Sequence, residues 1–305
     1  MADVTDHVFR EIISDIGKPD VLYTEFVSTD ALESEGRNAM LPKLKYDQRQ
    51  KPIVAQIWGT KPEHFYQASK LIENYGFDGI DLNTGCPDKN VMKIGSGAAL
   101  INNHLLVKDI VNAMKKGAPN TPISIKTRLA KNDTLTLDWF KFLLELPVQA
   151  IILHARTASQ LSKVPANWSK LKELVKLKNQ VNPNIQIIGN GDIRSLKEVN
   201  EKYAETGVDG IMIGRGIFNN PWLFNKNKLN KTPKDNIELL IKHTTLYNNI
   251  WGTSKNFEVM KKFFKIYVKE WDGASELRAN LSKIKKYSDF TNVMNEYLKN
   301  NPELL

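Results

Sequence analysis

The sequence predicts a parallel α/β barrel of the (β/α)8 kind, a TIM barrel, followed by a small C-terminal all-helical domain. Three observations predict it. Short β-rich runs alternate with helix-length segments as far as Gly216. Several of those runs are apolar at nearly every position, as parallel strands covered on both faces are. After Pro221 the strand pattern stops, and only helical periodicity remains. Repeated strand–helix order implies a parallel sheet with crossover helices. The domains are expected at 1–224 and 234–305, joined by the polar stretch Asn225–Pro233.

The strands are expected at Asp20–Phe26, Pro52–Trp58, Gly79–Asn83, Pro122–Arg128, Ala150–His154, Ile185–Gly189 and Gly210–Gly214. Between them lie the helical segments Glu63–Tyr75, Leu105–Lys116, Leu137–Leu146, Trp168–Val181 and Ser195–Thr206. Ser195 with Glu198 three residues on matches a capping box. The helix Asp6–Ile16 has no strand before it, whereas a (β/α)8 helix should follow strand one. The first strand is therefore expected upstream of Met1. The C-terminal helices are expected to include Ile237–Ile250, Phe257–Lys269 and Ala274–Tyr287.

Composition narrows the class. A chain of 305 residues, 41% hydrophobic and 25% charged, is ordinary for a globular protein. No run approaches the roughly eighteen apolar residues of a membrane span, and the N-terminus has no basic-then-apolar leader. A cytoplasmic protein without membrane contact is expected. Cys86 is the single cysteine, which excludes an intramolecular disulfide and a Cys-type zinc site, and no metal is expected. The net charge of +9 is biased toward the tail, where residues 226–305 carry 15 Lys and Arg against 9 Asp and Glu. Such a bias suits a polyanionic partner, because phosphate contacts release counterions. A solvated lysine-rich surface accounts for it equally well.

Barrel active sites gather at the C-terminal strand ends. The richest such end runs Asp81-Leu82-Asn83-Thr84-Gly85-Cys86-Pro87 and leads into Gly95-Ser96-Gly97-Ala98-Ala99-Leu100. A thiol on that loop is placed to act as a general acid. The next strand ends Lys126-Thr127-Arg128 and the one after it His154-Ala155-Arg156. Cations there can neutralise an electron-rich ring or an oxyanion, although any one alone could be structural. The last two ends, Gly189-Asn190-Gly191-Asp192 and Gly214-Arg215-Gly216, have the form of a barrel phosphate site, or merely of tight turns.

At this point the chain resembles the tRNA-dihydrouridine synthases. The resemblance is carried by Leu82-Asn-Thr-Gly-Cys-Pro with Gly95-Ser-Gly-Ala-Ala-Leu, and extends over nearly the whole chain. It includes Tyr23-Thr-Glu-Phe-Val-Ser, Val54-Ala-Gln-Ile-Trp-Gly, Lys126-Thr-Arg-Leu, His154-Ala-Arg-Thr, Ile188-Gly-Asn-Gly-Asp-Ile and Ile213-Gly-Arg-Gly-Ile-Phe-Asn-Asn-Pro-Trp. The family often has Gly where Ala155 stands, and its apolar strand ending Ala-Pro falls before the position of Met1.

The resemblance implies reduction of tRNA uridines to dihydrouridine with FMN as cofactor and NADPH as electron donor. Cys86 would protonate carbon 5 while hydride reaches carbon 6. Gln56, Lys126 and His154 would line the flavin, and Asn190, Gly191, Asp192, Gly214 and Arg215 would bind FMN around its phosphate. Asn83 would lie under the substrate ring, Arg128 and Arg156 would contact tRNA or substrate, and the helical domain would dock tRNA. Two other classes compete: an FMN barrel acting on a free pyrimidine, and a non-catalytic RNA-binding protein. The first has no need of a basic helical tail or a Cys86 loop. The second has no need of Cys86, Lys126, His154 and two glycine loops together.

Overall fold

The computed structural model of the chain describes Met1, residues 3–227 and residues 231–304. The expected polar linker therefore includes three positions, 228–230, outside the described residues. The chain folds as two compact units, Met1–His7 with Pro19–Gly216, and Val8–Lys18 with Ile217–Leu305.

The first unit is built on a curled sheet of seven parallel strands in sequence order: β1 (Leu22–Ser28), β2 (Ile53–Trp58), β3 (Gly79–Thr84), β4 (Ile123–Leu129), β5 (Ala150–Thr157), β6 (Gln186–Asn190) and β7 (Gly210–Met212). All seven fall where the apolar runs predict strands, with ends displaced. β7 is shorter than expected because a 3-10 turn begins at Arg215. β5 runs on to Thr157, with His154 paired in the ladder and Arg156 in the irregularity just before Thr157.

Strand alternation gives the sheet two chemically different faces. One face carries Ile53, Ile57, Ile80, Leu82, Ile123, Ile125, Ile151 and Ile187, all fully buried. These belong to one apolar cluster with Phe65, Ile72, Val107, Ile110, Trp139, Leu143, Leu171 and Leu174 of the crossover helices. The helix Trp168–Val181 lies so close that a Cβ on Gly189 would stand 2.5 Å from the Trp168 ring. The other face carries the polar residues.

Four of the crossover helices begin on side-chain caps. Asn103, Asn132, Asn167 and Ser195 each accept a hydrogen bond from the backbone N–H three residues on. The capping box expected at Ser195 is displaced by one residue: Glu198 returns its bond to the Arg194 N–H, at 2.6 Å.

The second unit is helical: Pro233–Trp251, Lys261–Tyr267, Ala274–Lys283 and Tyr287–Asn300, joined by residues 8–18. The segment Phe257–Lys269 divides into a 3-10 turn, Phe257–Met260, and a short helix. Ala274–Tyr287 also divides, because Ile284 is extended and the Asp289 carboxylate accepts from the N–H groups of Lys285 and Lys286, starting a new helix at Tyr287. Residues 8–18 and 217–224, expected within the domain 1–224, group instead with the helices expected at 234–305. Phe9 packs on Phe263 with ring centroids 5.3 Å apart, Lys242 reaches Asp15 at 2.8 Å, and Asn225 donates to the Ile16 carbonyl at 2.5 Å. An amphipathic helix declares which of its faces is buried and not what buries it. No helix among the described residues is long and apolar enough to cross a membrane.

Candidate active site

Register lines up the polar face in rows. Gln56, Asp81 and Ser124 are paired neighbours across β2, β3 and β4. Asn83 pairs with Lys126, and a third row runs Arg128, His154, Asn190 and Met212 across β4 to β7. Six of the residues singled out in the sequence, Gln56, Asn83, Lys126, Arg128, His154 and Asn190, thus stand in rows on one sheet face.

The first two rows are joined by side-chain hydrogen bonds. Ser124 Oγ donates to Asp81 Oδ1 at 2.6 Å, and Gln56 Nε2 donates to Asp81 Oδ2 at 2.7 Å. Asn83 Nδ2 donates to Gln56 Oε1 at 3.1 Å. The other end of the Asn83 amide, Oδ1, accepts from the backbone N–H groups of both Gly85 and Cys86, each at 3.0 Å. This double acceptance turns the chain sharply at the end of β3 and sets the backbone of the Cys86 loop. The next turn closes on it: Ala98 N–H donates to the Cys86 carbonyl at 2.9 Å, and Gly97, at φ 60°, lies against Cys86. A Cβ there would stand 2.7 Å from the Cys86 oxygen and 3.1 Å from its Cβ.

Four basic side chains share the rest of this face. Burial pulls the Lys126 ammonium down to about 8, with Asp81 opposing and Arg128 adding to the shift. Lys126 Nζ donates to Asn190 Oδ1 at 3.3 Å, and Asn190 Nδ2 donates in turn to the Met212 carbonyl at 2.8 Å. Burial, then repulsion by Arg128, Lys126 and Arg156, depresses His154 to about 2, so its imidazole is neutral. Arg156 Nη1 lies 3.4 Å from His154 Nε2. A guanidinium can only donate, so that contact places the imidazole proton on Nδ1.

Arg128 and Arg156 are buried and hold loops. Arg128 Nε donates to the Gly85 carbonyl at 2.7 Å, while Nη1 reaches the carbonyls of Thr157 and Leu161 at 3.3 and 3.4 Å. Arg156 Nε donates to the Val164 carbonyl at 2.6 Å, and its Nη2 is paired with the Asp192 carboxylate. Asp192 also accepts from Ala166 N–H at 2.9 Å. Partial burial pushes this carboxyl upward, but the bonds from Arg156 and Ala166 outweigh it and leave it below its ordinary value.

At the last two strand ends Gly191 has φ 142° and Asp192 φ 56°. Around Gly214 a Cβ would meet nothing within 4 Å, and Arg215 beside it is exposed. The open backbone at Gly214 next to a guanidinium suits an anion such as a phosphate. An ammonium pulled toward neutrality, a neutral imidazole and a carboxamide on the face below suit a polar, electron-accepting ring. The side chains present therefore fit a phosphorylated flavin.

Three residues not singled out in the sequence belong to the site. Asp81 is fully buried and pushed up to about 6, chiefly by burial, with Ser124, Gln56 and Lys126 opposing. Burial and the nearby Asp81 charge raise the Tyr23 hydroxyl from β1. Ser124 caps the second oxygen of Asp81. The available signal was a charge inside the apolar run Gly79-Ile-Asp-Leu-Asn, where parallel strands rarely place one.

Residues 1–302 match the family model for dihydrouridine synthase (Dus). The chain is 39% identical over 303 residues to a "Probable tRNA-dihydrouridine synthase" of Staphylococcus aureus (strain COL), spanning 97% of this chain and 91% of that protein. It is 36% identical over 301 residues to "Probable tRNA-dihydrouridine synthase 2" of Bacillus subtilis (strain 168), spanning 97% and 92%. With the Cys86 loop, the cationic face and the glycine turns, these matches show that the chain is an enzyme belonging to the dihydrouridine synthase family.

Proposed function

We propose that the protein reduces uridines of tRNA to 5,6-dihydrouridine, with FMN as cofactor, NADPH as electron donor and Cys86 as the proton donor. The observation that carries it is Cys86 on a loop fixed by Asn83, at the margin of a face holding Lys126 and a neutral His154. When bound, FMN supplies the hydride that adds to carbon 6 of the uracil ring. Gln56, Lys126 and His154 would line it, and Asn190, Gly191, Gly214 and Arg215, with the backbone N–H of Asp192, would hold its phosphate end. Lys126, retaining its charge at neutral pH, can neutralise negative charge on the ring beside it.

Hydride addition at carbon 6 leaves an electron pair at carbon 5, conjugated with the carbonyl at carbon 4. Cys86 closes the reaction by transferring its thiol proton to carbon 5, and the thiolate is reprotonated from solvent. Asn83 lies beneath the uracil and keeps the Cys86 backbone in place. Arg128 and Arg156, buried and bonded to backbone carbonyls, order the loops around the site. The helical unit, with its excess of lysine, docks the tRNA by phosphate contacts.

The test uses purified protein, NADPH and tRNA from a strain lacking dihydrouridine. A yellow protein that releases FMN on denaturation and forms dihydrouridine, detected by mass spectrometry of the digested tRNA, is the expected result. A flavoprotein that reduces free pyrimidines but not tRNA would instead identify a small-molecule reductase. A colourless protein that binds tRNA without reducing it would identify a binding protein.

A further inference from the structure

We propose that Asp81 is a positioning residue whose carboxylate, acting through the amides of Gln56 and Asn83, sets the polarity of the hydrogen bonds that present Cys86. The proposal rests on the dihydrouridine-synthase function for its catalytic meaning. Its hydrogen-bond chain stands on geometry alone.

The chain has one allowed direction. An ionised carboxylate only accepts, so Gln56 must turn Nε2 toward Asp81 and leave Oε1 for its other neighbour. That neighbour must donate, so Asn83 presents Nδ2 to Gln56. Its Oδ1 is then committed to the N–H groups of Gly85 and Cys86. Reversing Gln56 would set oxygen against oxygen at Asp81 and donor against donor at Asn83. Reversing Asn83 would set its amide hydrogens against two backbone N–H groups.

Water offers no easy substitute, because Asp81, Gln56 and Asn83 are 0%, 7% and 6% exposed. An unsatisfied donor in such a place is costly, so losing the acceptor at one end favours rearrangement along the chain. The groups facing Asp81 are Tyr23 from β1, Gln56 from β2, and Ser124 and Lys126 from β4. With its carboxyl pushed up to about 6, Asp81 is still mostly ionised, and hence acceptor-only, at neutral pH. Ser124 binds the other oxygen of Asp81 and takes no part in the chain toward Cys86.

Because Cys86 is the only cysteine, the rate of its alkylation by iodoacetamide reports on the loop without need of tRNA. The full-length holoenzyme is compared with Asp81→Leu, Asp81→Asn and Ser124→Ala, alongside single-turnover dihydrouridine formation. Asp81→Leu is expected to alkylate at least about threefold faster, because the loop is released, and to lose about tenfold or more in dihydrouridine formation. Asp81→Asn removes the charge but keeps an acceptor for Gln56, and both rates should stay within about threefold of wild type. Ser124→Ala should lower the melting temperature and leave alkylation unchanged.

If Asp81→Asn shifts alkylation as far as Asp81→Leu, the effect is one of charge and the relay is overturned. Unchanged alkylation in folded Asp81→Leu also overturns it. If that variant does not fold, the same criterion applies to Gln56→Leu, which cuts the chain at its middle link. A wild-type protein that makes no dihydrouridine yet shows the Asp81 pattern would support the relay while refuting the proposed function.

Discussion

Asp81 and Lys126 sit on one sheet face with their titrations displaced toward each other, to about 6 and about 8. Burial dominates both shifts, and mutual attraction recovers only part of its cost. For Asp81 the folded value lies above the ordinary 3.8, so protonation is easier in the folded state. Below about pH 4 both states are protonated and no cost exists; it grows between pH 4 and 6 and is complete above 6. At roughly 1.4 kcal/mol per pH unit, the ionised carboxylate costs on the order of 3 kcal/mol at neutral pH. Asp81→Asn should therefore melt higher than wild type at pH 8, with the difference vanishing toward pH 4, as calorimetry across that range would show. A variant melting lower at pH 8 would contradict this sign. His154 behaves oppositely in pH: depressed to about 2, it adds a loss of stability as pH falls below its ordinary 6.5, where the unfolded chain gains the proton.

The loop from β3 to the turn at Gly97 shows how much of the site depends on backbone. Gly97 has φ 60°, and a Cβ would approach the Cys86 carbonyl to 2.7 Å. Gly97→Ala should shift the Cys86 loop, cutting turnover by about tenfold or more with little change in flavin content. Turnover and flavin absorbance measured on the same preparation check this, and wild-type turnover would show the loop to be tolerant. Elements of this unit were legible because parallel strands advertise themselves as apolar runs, and Ile123-Ser-Ile-Lys-Thr-Arg shows its polar face by alternation. Cys86, Asn83 and Lys126 were legible as strand-end chemistry. Asp81 was less so, since one sequence does not distinguish a buried carboxylate from a strand-edge charge. The double duty of Arg128 and Arg156 as loop clamps was not legible either, because backbone carbonyls leave no mark in sequence. The helix expected at Asp6–Ile16 is observed at His7–Gly17, but the grouping of residues 8–18 with the C-terminal helices depends on Phe9 and Phe263, some 250 residues apart.

Across the molecule the basic tail separates into side chains that serve the fold and side chains exposed to solvent. Arg278 donates to the Val268 carbonyl at 2.7 Å and Lys261 pairs with Glu258 at 3.1 Å, whereas Lys265 is exposed. Neutralising Lys265 should weaken tRNA binding and lower the slope of log affinity against log salt by about one. An unchanged slope would return that lysine to the solvated surface. In the proposed reaction Cys86 delivers the proton that completes reduction of a tRNA uridine. Single-turnover formation of dihydrouridine by pre-reduced Cys86→Ala, compared with wild type on unmodified tRNA, tests it most directly. Unchanged flavin content, unchanged reduction by NADPH and a rate lower by about a hundred- to ten-thousand-fold are predicted. A wild-type rate in Cys86→Ala would contradict the account and leave Cys86 as a packing residue beside Gly97.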